Sequence, residues 1–145
     1  LNCLAPEQLR QLGLAAAGWV RPGGRAVLVA MPRVCLVESA VFLLRGRAGE
    51  ARRRWSGGPV EARLGDATVT TWYHAPEQVE AAFAPAFRAR RRRPVGLLVP
   101  PSYLEPRFAR RPRSLAVLAA LDRALGGCGL LAGMADHALV ELERR

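Results

Sequence analysis

Lysine and isoleucine are missing from this chain, asparagine occurs only at position 2, and there are just two histidines and three cysteines. Without lysine no Walker phosphate-binding loop can be built, because that loop needs a lysine to reach the outer phosphates. The sequence holds neither a G-x-S-x-G nucleophile elbow nor an H-E-x-x-H zinc pair, so those hydrolase classes drop out as well. Cys3, Cys35 and Cys128 are odd in number, far apart and without a CxxC pair. That pattern suggests neither a disulfide framework nor a zinc site and fits a reducing cytoplasm. His74 and His137 stand alone, so no metal is expected. The longest apolar run, Val34 to Leu44, is interrupted by Glu38 and falls well short of the ~20 residues that cross a bilayer. No membrane span is expected. The chain opens at Leu1 with no basic segment leading into an apolar run, so it reads as beginning inside a longer protein rather than with a targeting signal.

What is present is enough for one domain: 145 residues, half of them apolar. All 22 basic residues are arginine and the formal charge is +10. Clustered cations bind polyanions by releasing counterions, which invites a nucleic-acid reading. The abundance of Arg, Ala, Gly and Pro beside the missing Lys and Ile is also how a GC-rich coding sequence looks, so part of that charge reflects codon usage.

Pro6 to about Val20 reads as a helix, with proline at the first helical position, Glu7 at its positive end, and Leu9, Leu12 and Ala16 at helical spacing. Arg21-Pro22-Gly23-Gly24 stops it, since proline cannot continue a helix and glycine permits positive φ. The chain then enters a strand at Arg25 to Met31, whose unbroken Val27, Leu28, Val29 and Ala30 predict a strand covered on both faces in a parallel sheet. Val34 to Leu44 predicts a helix that is apolar nearly all round and leads into the basic stretch Arg45 to Trp55. Val60 to Leu64 and Ala67 to Tyr73 flank the two-residue turn Gly65-Asp66, which predicts a β-hairpin. Residues 33–74 thus read as an insertion between a sheet strand and the helix after it, and long insertions in compact domains are usually functional.

Pro76 to Phe83 predicts a short helix, and from Phe87 the chain reads as extended through Val95, Leu97 and Val99 to Pro100-Pro101. Arg90 to Arg93 lie inside this element, where charges protect an edge strand against pairing with other chains or clamp phosphate. Ser114 to Leu125 predicts a helix with Leu115, Leu118 and Leu125 as its buried stripe. His137 to Glu143 predicts a closing strand with Ala138, Val140 and Leu142 on one face and Glu141 and Glu143 on the other. Gly127-Cys128-Gly129-Leu130-Leu131-Ala132 fits the GxGxx(G/A) dinucleotide pattern, but a helix precedes it and a strand follows. The pattern requires the reverse order to aim backbone N–H groups at phosphate.

This order of elements resembles the C-terminal half of class I S-adenosylmethionine-dependent methyltransferases, with a Rossmann-like α/β sheet contributing its strands 5, 6 and 7 and an inserted β-hairpin. Val20-Arg21-Pro22-Gly23-Gly24-Arg25-Ala26-Val27-Leu28-Val29 is similar to the family's Leu-Arg-Pro-Gly-Gly turn and fifth strand. Gly57-Gly58-Pro59-Val60-Glu61 and Pro100-Pro101-Ser102-Tyr103-Leu104-Glu105 are similar to segments of a bacterial subgroup acting on small molecules. The resemblance implies methyl transfer from S-adenosyl-L-methionine to a small-molecule acceptor by the intact protein. It also implies that the glycine loop and the ribose-binding acid of the family lie in an N-terminal half not among these residues, so that this part alone is inactive. Leu1-Asn2-Cys3-Leu4 would follow the fourth strand, which makes Asn2 the candidate for touching the cofactor. Arg33, Glu38, Trp72, Tyr73 and Tyr103 are the candidates for the acceptor pocket or its lid. Two other readings remain open: an Arg-rich nucleic-acid module using Arg52 to Arg54 and Arg90 to Arg93 with Trp55 and Trp72 for stacking, and a non-catalytic remnant that pairs with another subunit. The nucleic-acid reading requires both arginine runs on one exposed face.

Overall fold

The computed structural model describes residues 1–101 and 111–145. In chain order the elements are α1 (Pro6–Trp19), β1 (Arg25–Ala30), α2 (Leu36–Leu44), α3 (Ala48–Ala51), β2 (Val60–Leu64), β3 (Ala67–Thr71), α4 (Pro76–Phe83), β4 (Phe87–Val95), α5 (Pro112–Leu125) and β5 (His137–Arg144). Short 3-10 turns occupy Arg53–Ser56 and Gly129–Met134. The fold is mixed α/β, with one three-stranded sheet in the order β1-β5-β4 and a separate two-stranded hairpin, β2-β3.

α1 and α4 begin with the same four residues, Ala-Pro-Glu-Gln, and for the same reason. Proline sits where its missing N–H costs nothing, and the glutamine side chain reaches back to the backbone N–H of Ala5 (2.8 Å) or Ala75 (2.9 Å). The two helices pack together so closely that a Cβ on Gly13 would lie 2.4 Å from the carbonyl oxygen of Ala82. Beneath them Leu9, Ala16, Val79, Phe83 and Phe87 form the core with Ala30, Val140 and Leu142 of the sheet. Phe83 and Phe87 meet edge to face with centroids 5.7 Å apart. The Arg21–Gly24 turn closes on itself through Gly24 N–H to Arg21 O, 2.8 Å. It is tied to the end of β5 by Gly23 N–H to Arg144 O, 2.9 Å, and Arg144 N–H to Gly24 O, 2.8 Å.

β5 runs antiparallel to both neighbours, pairing Leu28 with Val140 on one side and Arg92 with Val140 on the other. The expectation of a doubly covered, parallel-paired β1 is therefore corrected: its hydrogen-bonded partner is antiparallel and its burial alternates. Ala26, Leu28 and Ala30 face the helices, while Val27 and Val29 point the other way and stay 58% and 45% exposed. Apolar residues on both faces imitated a buried strand although only one face is covered.

The hairpin forms at the expected turn, Gly65-Asp66, with Leu64 opposite Ala67. β4 ends at Val95 rather than continuing to Val99. The chain turns at Gly96, and the N–H groups of Leu97 and Leu98 donate to Asp122 Oδ1 (2.8 and 3.0 Å) in place of a strand ladder. As expected for its arginines, β4 is an edge strand. α5 begins at Pro112, and its expected buried stripe is corrected as well. None of its residues is buried among the described residues, Leu115 and Leu118 being half-buried and Leu125 exposed. The glycine pattern at residues 127–132 follows a helix and falls in the Gly129–Met134 turn, as its context required. No helix among the described residues is long and apolar enough to cross a membrane.

Candidate functional site

β1 and β4 both run antiparallel to β5 and so point the same way, which brings their carboxyl ends together beside the start of β5. Ala30 and Pro94 are opposite Ala138. In open α/β sheets ligands bind at this end of the strands. The segments meeting there are residues 31–35 after β1, Gly96 after β4, Asp136-His137 entering β5, and the exit of the hairpin at Trp72–His74. Asp136 is fixed by its own N–H to Gly96 O, 2.9 Å.

A buried ionic network fills the junction. Glu38, on the first turn of α2, is 1% exposed, and Arg54, in the turn after α3, is 2% exposed. Arg54 Nη2 donates to Glu38 Oε2 and to Asp136 Oδ1 (3.0 Å), and Nη1 reaches Asp136 O at 3.4 Å. Arg53 Nε donates to the other Glu38 oxygen at 3.1 Å, and the Arg54 guanidinium lies 5.0 Å from the Tyr73 ring centroid. Burial by itself would make Arg54 easier to deprotonate. The charge and hydrogen bond of Glu38, with the hydrogen bond to Asp136 added, together outweigh it and hold the guanidinium more firmly protonated than usual. Asp136 is also desolvated, yet its hydrogen bonds from His137 and Arg54 bring it below the ordinary aspartate range. Burial pushes the neighbouring Cys35 thiol up, the strongest of several opposing influences. Ligand atoms of Cys35, Glu38 and Asp136 lie within 4.8 Å of one another, but Arg54 already supplies the positive charge that both carboxylates need.

The candidate residues divide by what they touch. Asn2 is held by three hydrogen bonds from its side chain: Nδ2 donates to Met31 O (3.2 Å) and Trp72 O (2.5 Å), and Oδ1 accepts from Met31 N–H (2.8 Å). Its own carbonyl accepts from Trp72 N–H, 2.7 Å. Asn2 thus clamps the end of β1 to the exit of the hairpin. Glu38 spends both oxygens on arginines, Tyr73 is buried against Arg54, and Trp72 is half-buried. Arg33 is half-buried in the segment after β1. Tyr103 lies outside the described residues.

Sequence reasoning placed Arg54 only in an arginine run, set His74 aside as an isolated histidine and gave Asp136 no role. His74, 2% exposed, donates its backbone N–H to Met31 O at 3.0 Å, and its ring Nε2 lies 2.9 Å from Leu4 O. Because a carbonyl only accepts, that nitrogen carries the proton. Burial holds the imidazole below its ordinary pKa, and the Arg33 charge adds to the effect. Nothing local distinguishes Arg54 within a run of arginines. Its partners are 16 and 82 positions away.

The arginine runs are largely answered by acids. Arg88 and Arg90 engage Glu143, Arg92 engages Glu77 and Glu80, and Arg53 and Arg54 turn inward onto Glu38. Such pairing lowers the positive field of the two runs, in which Arg52, Arg91 and Arg93 stay exposed. No family model and no curated protein matches the chain.

Proposed function

We propose that this chain forms the acceptor-binding side of a class I S-adenosylmethionine-dependent methyltransferase that acts on a small molecule in the cytoplasm. The observation that carries the reading is the sheet: a strand entered through Arg21-Pro22-Gly23-Gly24, and a closing strand that lies between, and antiparallel to, the two before it. β1, β4 and β5 are the strands that the resemblance gives as the fifth, sixth and seventh. The insertion of α2, α3 and the hairpin leaves its exit, Trp72–His74, at the carboxyl end of β1, as a lid over the acceptor would require.

The described residues make no seat for the cofactor itself. Asn2, expected beside it, gives its whole amide to main-chain groups of Met31 and Trp72. No glycine loop or ribose-binding acid of the family's pattern occurs in the sequence. What this chain's residues do is hold the carboxyl end of the sheet together: the Glu38–Arg54–Asp136 network locks α2 and the turn after α3 to the start of β5, and Asn2 and His74 fasten the hairpin exit to the end of β1.

Calorimetric titration of S-adenosylhomocysteine into the 145-residue chain, and into the product of its full reading frame, tests the reading. Binding by the longer protein alone is expected. No binding by either, with salt-dependent binding of DNA or RNA by the 145-residue chain, would overturn it in favour of a basic nucleic-acid module.

A further inference from the structure

We infer that Arg33 is the anion-recognising group of the acceptor site, and that the acceptor is a small organic acid whose carboxylate pairs with it; the word acceptor rests on the methyltransferase reading, the anion site on Arg33 itself. Taking a guanidinium out of water is costly unless acceptors replace the lost hydration. The other arginines drawn below the surface obey this rule. Arg53 and Arg54 have Glu38, Arg92 has Glu77 and Glu80, and Arg144 Nη1 donates to Ala86 O at 2.8 Å. Arg33 alone among these engages no carboxylate or carbonyl of the described residues, and its Nε is buried without a partner. Arg54 and Arg144 also leave Nε unpaired, but their terminal nitrogens are occupied.

The surroundings keep that positive charge uncompensated. Glu38 and Asp136, the acids of the junction, are engaged by Arg53 and Arg54. His74, whose imidazole burial holds below its ordinary pKa, adds no second positive charge beside Arg33 at neutral pH. Gly57, with φ +72°, lies against the guanidinium, where a Cβ would stand 3.4 Å from Nη2. Arg33 lies in the segment after β1, at the end of the sheet where α/β folds bind ligands. A planar fork of donors there suits a carboxylate taken up through two parallel N–H···O bonds. A single half-buried cation is matched to a small ligand rather than to a polyanion.

The test follows the Arg33 Nε–H resonance by NMR in the 145-residue chain during titration with benzoate, the neutral control benzamide, and inorganic phosphate. A saturable shift with benzoate and none with benzamide is expected. Arg33→Gln should weaken benzoate at least about tenfold, the scale of losing one charge-assisted pair. Arg33→Lys, which keeps the charge and loses the fork, should fall between, and it serves as the decisive variant if Arg33→Gln does not fold. Equal response to benzamide, or undiminished benzoate binding by a folded Arg33→Gln or Arg33→Lys protein, overturns the inference. Preference for phosphate over benzoate overturns the carboxylate assignment. Failure of S-adenosylhomocysteine binding by the product of the full reading frame, with benzoate binding intact, would instead strike the methyltransferase reading and leave the anion site standing.

Discussion

Replacing Arg54 with methionine strips the counter-ion from a carboxylate that has almost no access to water. Glu38 is 1% exposed and, of the ion pairs described above, would retain that to Arg53, whose side chain is 38% exposed, while Asp136 would retain that to His137. Breaking a buried ion pair by removing one partner costs about 3–5 kcal/mol. For a domain of this size each kcal/mol lowers the melting temperature by roughly 2–4 °C, so Arg54→Met should melt about 10 °C lower. The double variant Glu38→Met/Arg54→Met removes both charges and fills the space with apolar atoms, which is often near neutral. It should regain at least half of the loss. Thermal melts of wild type, both single variants and the double variant close the cycle. An Arg54→Met protein that melts within 2 °C of wild type, or a double variant whose loss equals the sum of the singles, would refute the account of the network as mutually dependent charges.

His74 supplies a pH dependence whose sign is fixed by its burial. Its folded pKa is below the ordinary value of 6.5, so as pH falls below about 6.5 the unfolded chain takes up a proton that the folded chain refuses. Stability is full above that pH and should decline on acidification through the range down to the folded pKa; His74→Gln should flatten the slope in urea melts at pH 7.5, 6.5 and 5.5. At lower pH Asp136 adds a second loss, because its depressed folded pKa contributes stability only while the carboxylate is ionised. Gly13→Ala should destabilise, because the new Cβ would meet Ala82 O at 2.4 Å and overpacking costs about 1–3 kcal/mol, more than the ~1 kcal/mol gained in helix propensity. Gly18→Ala on the same helix meets nothing within 4 Å and should stabilise, so equal melting shifts for the two would show that the α1–α4 approach is not as close as described.

Signals that act within a few residues were legible. Pro6 and Pro76 mark helix starts, Gly65-Asp66 makes its hairpin, and the arginine-laden β4 is an edge. The alternation of Ala138, Val140 and Leu142 with Glu141 and Glu143 correctly divides β5 into a buried and a solvent-side face. Signals that depend on a distant partner were not. Val27 and Val29 are apolar enough to imitate a doubly buried strand, and only the packing of the core against Ala26, Leu28 and Ala30 reveals that the other face is bare. Leu115 and Leu118 have helical spacing whether or not anything covers them. At the candidate site, Arg33, Glu38, Trp72 and Tyr73 all gather near the carboxyl end of β1, but the roles differ from residue to residue. Glu38 and Tyr73 are bound up in the Arg54 network, which pairs residues 16 and 82 positions apart and leaves no local trace.

The position of β5 also governs how the chain is made. It is translated after both strands it joins, and the side chains of Arg25 and Glu141, bridged across the sheet, are 116 positions apart. On a ribosome β1 and β4 would emerge with no partner and wait, their edges bare, while α1 and α4 already have each other. Pairings across such separations are slow to form and expose sticky surface meanwhile. Nascent chains of this protein therefore pass through a long interval in which helices can dock but the sheet cannot exist. A premature stop between β4 and β5 would remove the centre of the sheet rather than its rim, leaving two strands with nothing to hold them together.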